Sequence, residues 1–306
     1  AEIDLLVSSA PTIWGEKIVM RLVRSSGGVP DVSELGLRGL GLKRVEEAIL
    51  KPNGIIIVTG PTGSGKTTTL YSAITRINNP EVNIMTIEDP VEYEIKGITQ
   101  VQVNREAGLT FASAMRSFLR QDPDIIMVGE IRDQETAELA IQASLTGHLV
   151  FSTLHTNQAA GTIPRLLDLG AEPFLLASSL SLVVGQRIAR RICPNCREEY
   201  QPDKTNLDEL TAVLGKLLPK KKEEIKFFRG KGCEQCNNTG YYGRIGIFEV
   251  LSVSEKIVKL ILERAPAIEI EKQAVEEGMI TMLQDGYLRV VEGVSTMEEV
   301  VRVVRD

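Results

Sequence analysis

A glycine-rich segment between a predicted strand and a predicted helix has the residue types of a phosphate-binding loop. Residues 60–67 fit the spacing G-x-x-x-x-G-K-T, with a β-branched run at 55–58 before them and helical apolar spacing at 68–74 after them. Glycines allow the backbone to turn several N–H groups toward one point, and the helix N-terminus adds its positive end. The sequence therefore predicts a nucleoside triphosphate site, and an ordinary glycine-rich turn is the alternative.

Two residues of this loop have distinct expected roles. Lys66 provides a compact cation for the β- and γ-phosphates, and Thr67 offers its hydroxyl to Mg²⁺ as a metal ligand. The expected ligand is therefore a nucleoside triphosphate with Mg²⁺. The residues predicted to contact it are Gly60, Pro61, Thr62, Gly63, Ser64, Gly65, Lys66, Thr67 and Thr68.

Two acidic stretches follow predicted strands, at the edge where an open parallel sheet places its ligands. The first carries four carboxylates between Glu88 and Glu94, and a carboxylate at a strand end can orient water or accept its proton. An ordinary acidic surface loop is the alternative for this stretch. The second has the form of a Walker B strand with Gly129 at the usual aspartate position, so Glu130 is expected to act on Mg²⁺ through water.

The two histidines of the chain, His148 and His155, flank one predicted strand at residues 149–152. In a nucleotide-binding sheet this placement favours sensing of the γ-phosphate or coupling between subunits. Ordinary core or surface histidines are the alternative.

All four cysteines lie in two Cys-x-x-Cys pairs, which in an intracellular protein indicates metal binding rather than disulfides. Each pair presents two thiolates, and four thiolates suit a tetrahedral Zn²⁺. The 36 residues from 197 to 232 between the pairs are more than the ~15–20 of the tightest spacing rule, so an excursion of the chain must close the site. Because no coordination position is left open, the metal is expected to be structural, and unligated thiols are the alternative. The predicted ligands are Cys193, Cys196, Cys233 and Cys236.

Alternating strand and helix patterns after the phosphate loop predict an α/β fold with a parallel sheet. Strands are expected at 83–87, 125–128 and 149–152, and a helix at 135–144. The apolar segment 174–192 is predicted to carry a helix that closes this part of the chain.

The two ends of the chain have different patterns. Residues 3–7 and 17–23 predict a hairpin, interpreted as the edge of a preceding domain that lies outside this sequence. Beyond the cysteines the pattern is helical, and the serines at 252 and 295 each precede a glutamate by three residues, as in capping boxes.

Composition limits the classes of partner. A formal net charge of −6 and an aromatic content of 5% argue against a dedicated nucleic-acid binder, which is usually basic and carries stacking platforms. No apolar run approaches the ~20 residues that a membrane-spanning helix needs. We therefore expect neither nucleic-acid binding nor direct membrane insertion.

Segments 60–67, 88–90, 129–133 and 152–157 together resemble the Walker A, Asp box, atypical Walker B and His box of the secretion ATPase family. Members of that family power type II secretion and type IV pilus assembly. The resemblance runs from about residue 10 to the C-terminus. The tetracysteine element is similar to that of assembly and secretion members and is absent from typical pilus-retraction ATPases.

This resemblance implies a RecA-like homo-hexameric ATPase that converts hydrolysis into domain rotation against an inner-membrane platform protein and other pilus or secretion components. Such a protein is expected to be cytoplasmic and held at the inner membrane by its partners. The resemblance implies Glu88 as the catalytic base, Glu130 as the holder of the Mg²⁺-bound water, and His155 as a further site residue. Family arginines neutralise transition-state charge. The candidates here, with structural ion pairs as the alternative, are Arg21 (which matches the N-terminal-domain position), Arg116, Arg120 and Arg132.

The expected organisation is a RecA-like P-loop NTPase core with appended parts. Residues 1–30 are interpreted as the end of an N-terminal α+β domain with its linker, and 31–192 as the ATPase core. Residues 193–245 form the expected zinc-binding insert, and 246–306 the C-terminal helices.

Two other functions compete with a protein-moving ATPase. A nucleic-acid translocase or helicase uses the same sheet, but the acidic charge and scarce aromatics count against it. A small-molecule kinase is the other alternative, although no acceptor-binding constellation is visible in the sequence.

Overall fold

The computed structural model of the chain describes residues 3–24, 28–219, 221 and 224–305. Its centre is a seven-stranded sheet in which all neighbouring strands are parallel except the two at one edge, which are antiparallel. Across the sheet the strands are β11 (Tyr241–Ser252), β8 (Leu180–Ile192), β3 (Gly54–Thr59), β7 (Leu149–Leu154), β6 (Ile125–Val128), β4 (Ile84–Glu88) and β5 (Thr99–Gln102). This arrangement confirms the predicted α/β class.

Helices cover both faces of the sheet and continue beyond one edge of it. In chain order they are α1 (Gly39–Ile49), α2 (Lys66–Ile77), α3 (Phe111–Phe118), α4 (Gln134–Leu145), α5 (Thr162–Asp168), α6 (Pro173–Ser179), α7 (Lys204–Leu214), α8 (Glu255–Leu262), α9 (Ala267–Glu276), α10 (Met282–Val291) and α11 (Met297–Arg305).

The central strand β3 is buried on both faces, as its β-branched sequence predicts for a parallel strand. Ile55 and Ile57 belong to a core that includes apolar residues of α3–α6, α8 and α9, whereas Ile56 and Val58 belong to a core with α1 and α2. A third core joins the outer parts of β8 and β11 to α7, α10 and α11. The two main cores fix the sheet between helix layers and so set the positions of its strand ends.

The prediction of a helix through 174–192 is wrong for most of that segment. Only Pro173–Ser179 is helical, and Leu180–Ile192 forms strand β8 between β3 and β11. Because Leu182, Val183 and Val184 are all buried, the apolar run has no period, and periodicity alone cannot distinguish such a strand from a buried helix.

The capping residues of two C-terminal helices also differ from the prediction. Ser254, not Ser252, caps α8 by accepting a hydrogen bond from Ile257 N at 3.3 Å. At α11, Thr296 Oγ1 accepts from Glu299 N at 3.2 Å, while Ser295 donates to a strand carbonyl. Ser252 is the last residue of β11, so the sheet extends further than the pattern predicted.

Two smaller antiparallel pairs stand apart from the central sheet. The predicted N-terminal hairpin is present as β1 (Ile3–Thr12) and β2 (Gly15–Arg24), and residues 25–27 of the expected connector lie outside the described residues. A second pair, β9 (Arg197–Tyr200) and β10 (Phe227–Gly230), lies between the cysteine pairs. The proposed division into domains stays a prediction. Strand β11 runs across the expected boundary at 245/246.

No helix in the described part of the chain is both long and apolar enough to cross a membrane.

Candidate nucleotide site and zinc site

The phosphate loop connects β3 to α2 through glycines in backbone conformations that other residues rarely adopt. Gly60 has φ 152° and Gly65, which precedes the first turn of α2, has φ 84°. A Cβ at Gly60 would lie 2.4 Å from the Gln186 carbonyl oxygen, and one at Gly65 would lie 2.9 Å from Ile188 Cδ1. The loop therefore packs against β8 so tightly that only glycine fits at these positions.

Lys66 lies over the loop that it follows. Its Nζ donates to the carbonyl oxygens of Gly60 at 2.9 Å and Pro61 at 3.1 Å. Burial lowers the pKa of the Lys66 ammonium, and the negative charge of Glu130 opposes that shift. Ser64 Oγ is buried and has no hydrogen-bond partner among the described residues. This backbone cradle with its cation and orphaned hydroxyl fits a polyphosphate.

A cavity of about 950 Å³ lies beside the loop, at the carboxyl ends of the parallel strands. Thr62, Gly63, Gly65, Lys66, Thr67 and Thr68 of the loop segment line it. The strand ends and the loops that follow them contribute Glu88, Asp89, Glu92, Glu130 and His155. The cavity thus brings together most of the predicted nucleotide-contacting residues and both acidic stretches.

Glu88, the predicted base, has a carboxylate surrounded by protein donors. Oε1 accepts from Thr86 Oγ1 at 2.6 Å and from Gln100 Nε2 at 3.2 Å, and Oε2 accepts from the Tyr71 hydroxyl. Burial raises its pKa, and the hydrogen bonds oppose that shift. Only 2% of Glu88 is exposed, so its surroundings favour an anchoring role over contact with water.

Glu92 lies four residues further along the same stretch and lines the same cavity. It is half-buried, and its carboxylate forms no hydrogen bond or ion pair among the residues that the structure describes. Its backbone N–H donates to the Tyr71 hydroxyl at 3.3 Å. In the sequence Glu92 is one of four acids with no feature that sets it apart. The acids differ in their hydrogen bonds to residues distant in sequence, which only the structure shows.

Glu130 lies at the tip of β6 between two potential cations. Its Oε1 is 2.5 Å from Arg132 Nη2, and its Oε2 is 3.4 Å from His155 Nε2. A Cβ at Gly129 would lie 3.3 Å from the Ile87 carbonyl oxygen and 3.4 Å from Phe111 Cε1. An aspartate at 129 would therefore meet close contacts, and Glu130 supplies the carboxylate one residue beyond the usual Walker B position.

The two histidines lie at opposite ends of β7, and only His155 reaches the site. His148 Nδ1 lies 2.8 Å from the Ala143 carbonyl oxygen at the far end of the strand. Thr153 Oγ1 donates to the Gly129 carbonyl oxygen at 2.7 Å, which ties the end of β7 to the tip of β6. His155 and Glu130 are therefore held together by neighbouring strands.

The four arginine candidates differ in where they lie relative to the cavity. Arg116 lies on α3 and Arg120 lies just after it; both are exposed, and neither lines the cavity. Arg116 forms an ion pair with Glu135. Arg132 lines the cavity beside Glu130. Arg21 lies in β2, and its side chain lies outside the described part of the chain. The charge-neutralising roles of these arginines stay predictions.

One wall of the cavity comes from segments for which the sequence predicted no part in the site. The chain before α1 joins β11, where Gly246 N donates to the Leu35 carbonyl oxygen at 3.0 Å. A Cβ at Gly36 would lie 2.9 Å from the Gly246 carbonyl oxygen, so the glycine pair permits the close approach and was the available signal. This wall consists of Pro30, Glu34, Leu35, Ile188, Arg244 and Ile245.

The four cysteines form one compact cluster, as the spacing predicts. All four sulfur atoms lie within 4.8 Å of one another. The Sγ–Sγ distance is 3.8 Å for Cys193–Cys233, 3.8 Å for Cys196–Cys236 and 3.6 Å for Cys233–Cys236. A tetrahedron with ~2.3 Å zinc–sulfur bonds has edges of about 3.8 Å, so the donor set fits Zn²⁺.

The surroundings of the cluster also suit a structural metal. Backbone N–H groups donate to two of the sulfurs, Gly232 N to Cys196 Sγ at 3.3 Å and Cys233 N to Cys236 Sγ at 3.2 Å. The predicted excursion between the pairs is strand β9, helix α7 and strand β10. Such outer hydrogen bonds orient and stabilise thiolate ligands.

Removal of zinc is expected to loosen this part of the chain selectively. Because structural zinc contributes folding energy, chelation should raise amide hydrogen exchange across residues 193–240 by about a hundred-fold or more. Amides of β3 and β6 should keep their protection and serve as the internal control. If metal analysis confirms that zinc has been lost but amide exchange and thermal stability are unchanged, the result contradicts a structural role for the metal.

The parallel sheet, the glycine loop before α2 and the acids at the strand ends define this chain as a P-loop α/β nucleotide-binding protein. It belongs to the type II/IV secretion system protein family, whose model matches residues 1–302. This confirms the family expected from the four motifs.

Curated relatives resemble nearly the whole chain. The type IV pilus assembly ATPase PilB of Myxococcus xanthus is 48% identical over 300 residues, which are 98% of this chain and 52% of that protein. The type II secretion system protein E of Pseudomonas aeruginosa is 47% identical over 305 residues, 100% of this chain and 59% of that protein. The chain thus spans little more than half the length of these relatives.

Solved structures share the fold. The pilus retraction motor PilT, determined with bound ADP, has a TM-score of 0.68 and 29% identity, covering 97% of this chain and 77% of that one. The ATPase DotB of Yersinia pseudotuberculosis has a TM-score of 0.71 at 22% identity, covering 99% of this chain and 70% of that one. The latter comparison supports the fold alone.

Proposed function

We propose that the chain is the motor region of an ATPase that powers type II protein secretion or type IV pilus assembly. The observation that carries this proposal is the convergence of the phosphate loop, Glu92, Glu130 and His155 on one cavity. Two relatives named for pilus assembly and type II secretion, each similar over nearly the whole chain, support the choice of process.

In this proposal the phosphate loop binds the triphosphate of ATP through its backbone N–H groups and Lys66. The residues that would hold Mg²⁺ are Thr67 through its hydroxyl and Glu130 through a water molecule. The metal, when bound, neutralises charge on the β- and γ-phosphates. Glu130 lies beside His155, with 3.4 Å between Oε2 and Nε2, and this proximity supports a role for His155 in sensing the γ-phosphate.

We assign the activation of water to Glu92, although the sequence favoured Glu88. A general base must reach the water from which it takes a proton. The Glu88 oxygens accept three hydrogen bonds from protein donors, whereas Glu92 lines the cavity, is half-buried, and has a carboxylate with no partner among the described residues. Glu88 then anchors the loop that carries Glu92.

The assembled motor is proposed to be a ring of six chains that rotates its domains against an inner-membrane platform protein. Arginines from neighbouring domains would complete the charge neutralisation, with Arg21 from the N-terminal part as the leading candidate and Arg132 already at the site. The zinc cluster is proposed to hold an insert near residues 193–245, and the helices after β11 to form the C-terminal unit.

A measurement of mass in solution tests this assembly. With Mg²⁺ and a non-hydrolysable ATP analogue, the zinc-loaded protein is expected to reach six times the mass of one chain, as read by light scattering. A Lys66→Ala variant is the control, because it should not respond to the analogue. A strict monomer in both conditions would contradict the ring, and hydrolysis stimulated by DNA with a steep salt dependence would instead support a nucleic-acid translocase.

A further inference from the structure

The hydroxyl of Tyr71 lies where the helix after the phosphate loop contacts the acidic loop after β4. Tyr71 is fully buried on α2, about one and a half turns after Lys66. Its hydroxyl donates to Glu88 Oε2 and accepts from Glu92 N at 3.3 Å. One oxygen atom therefore joins the helix that carries Lys66 to both ends of the Glu88–Glu92 turn.

The rest of the surroundings hold Tyr71 and this turn in a single arrangement. The ring of Tyr93 packs edge-on against the Tyr71 ring, with centroids 4.7 Å apart and an interplanar angle of 89°. Gln100 Nε2 donates to Glu88 Oε1 at 3.2 Å and to the Tyr93 carbonyl oxygen at 3.2 Å, and it lies 3.5 Å from the Tyr71 hydroxyl oxygen. Tyr71 and Gln100 thus both bond the turn, and the Tyr71 hydroxyl supplies a contact from α2.

We propose that Tyr71 is a positioning residue for hydrolysis, which holds the backbone of Glu92 at a fixed place relative to Lys66. This inference rests on the proposed ATPase function, because it assigns Tyr71 the alignment of the base with the phosphate site. A displacement of about 1 Å between a base and its target can cost a hundred-fold in rate. Tyr71 itself does not line the cavity, so it acts through Glu92 and Glu88.

Tyr71→Phe tests the inference because it removes only the hydroxyl. We expect kcat to fall about ten- to a hundred-fold, while KM for ATP changes less than about two-fold because the phosphate loop is intact. The matched control is Tyr287→Phe. Tyr287 is equally buried, on α10, and its hydroxyl donates to Glu209 Oε1 at 2.7 Å, so the same type of bond is lost far from the site.

A double variant separates positioning from general destabilisation. If Tyr71 acts through the base, adding Tyr71→Phe to Glu92→Gln should lower kcat no further, since groups that act as a unit are not additive. Unchanged kcat in Tyr71→Phe, equal losses in the two Tyr→Phe variants, or additive losses in the double variant would each overturn the proposal.

Hydrogen exchange provides a readout that does not depend on activity. In Tyr71→Phe the amides of residues 88–94 should exchange about ten-fold faster or more, whereas those of β6 should be unchanged. Unchanged exchange at 88–94 would overturn the positioning role even if the wild type hydrolysed no ATP. A wild type that hydrolyses no ATP, with faster exchange in the variant, would count against the ATPase function and leave the structural coupling in place.

Discussion

Replacement of Lys66 by alanine is expected to abolish ATP hydrolysis, with kcat/KM lower by about a thousand-fold or more. Lys66 Nζ lies over the loop, 2.9 Å from the Gly60 carbonyl oxygen, and it is the loop's own cation in the cavity. Without it the charge on the β- and γ-phosphates has no lysine partner in either the ground state or the transition state. Phosphate release and titration with a fluorescent nucleotide measure the two losses.

Lys43→Ala is a matched control for this variant. Lys43 is 70% exposed and pairs with Glu47 on α1, away from the cavity, so its removal should leave hydrolysis unchanged. Wild-type turnover in Lys66→Ala would refute the assignment of residues 60–67 as the phosphate site.

Glu92→Gln is expected to lower kcat by about a thousand-fold while ATP binding changes little, because a general base contributes to the chemical step and not to phosphate binding. Glu88→Gln should have the smaller effect on kcat. Its single amide oxygen can still accept from Tyr71, so the contact between the turn and α2 is retained. Single-turnover phosphate release, with nucleotide titration beside it, separates the two effects.

Glu94→Gln is the control for this pair, since Glu94 is an exposed carboxylate of the same stretch. Its kcat should equal that of the wild type. If Glu88→Gln loses nearly all turnover while Glu92→Gln retains it, the base is Glu88, as the family motif first implied.

Local patterns predicted the parts of this molecule that depend on neighbours in sequence. A pattern of a few residues is enough to recognise the phosphate loop, strand β6 and each cysteine pair. Glycine conformation, β-branched runs and paired thiols are all local requirements. The four-sulfur cluster could be predicted across an excursion of the chain because structural zinc takes four ligands.

Features that depend on distant partners could not be predicted in this way. Strand β8 is apolar without a period because it is buried between β3 and β11. The difference between Glu88 and Glu92 arises from Tyr71 and Gln100, which lie on other elements. Charge and residue type are the same for the two glutamates, so only the three-dimensional packing assigns them different roles.

We expect water to attack the γ-phosphate of ATP held in this cavity. Hydrolysis in H₂¹⁸O by the zinc-loaded protein with Mg²⁺ tests it, with mass spectrometry of the inorganic phosphate. We expect each phosphate released to carry one solvent oxygen, and expect no such release from Lys66→Ala. Absence of labelled phosphate from folded, ring-forming protein, or transfer of the phosphate to another molecule, would contradict hydrolysis at this site.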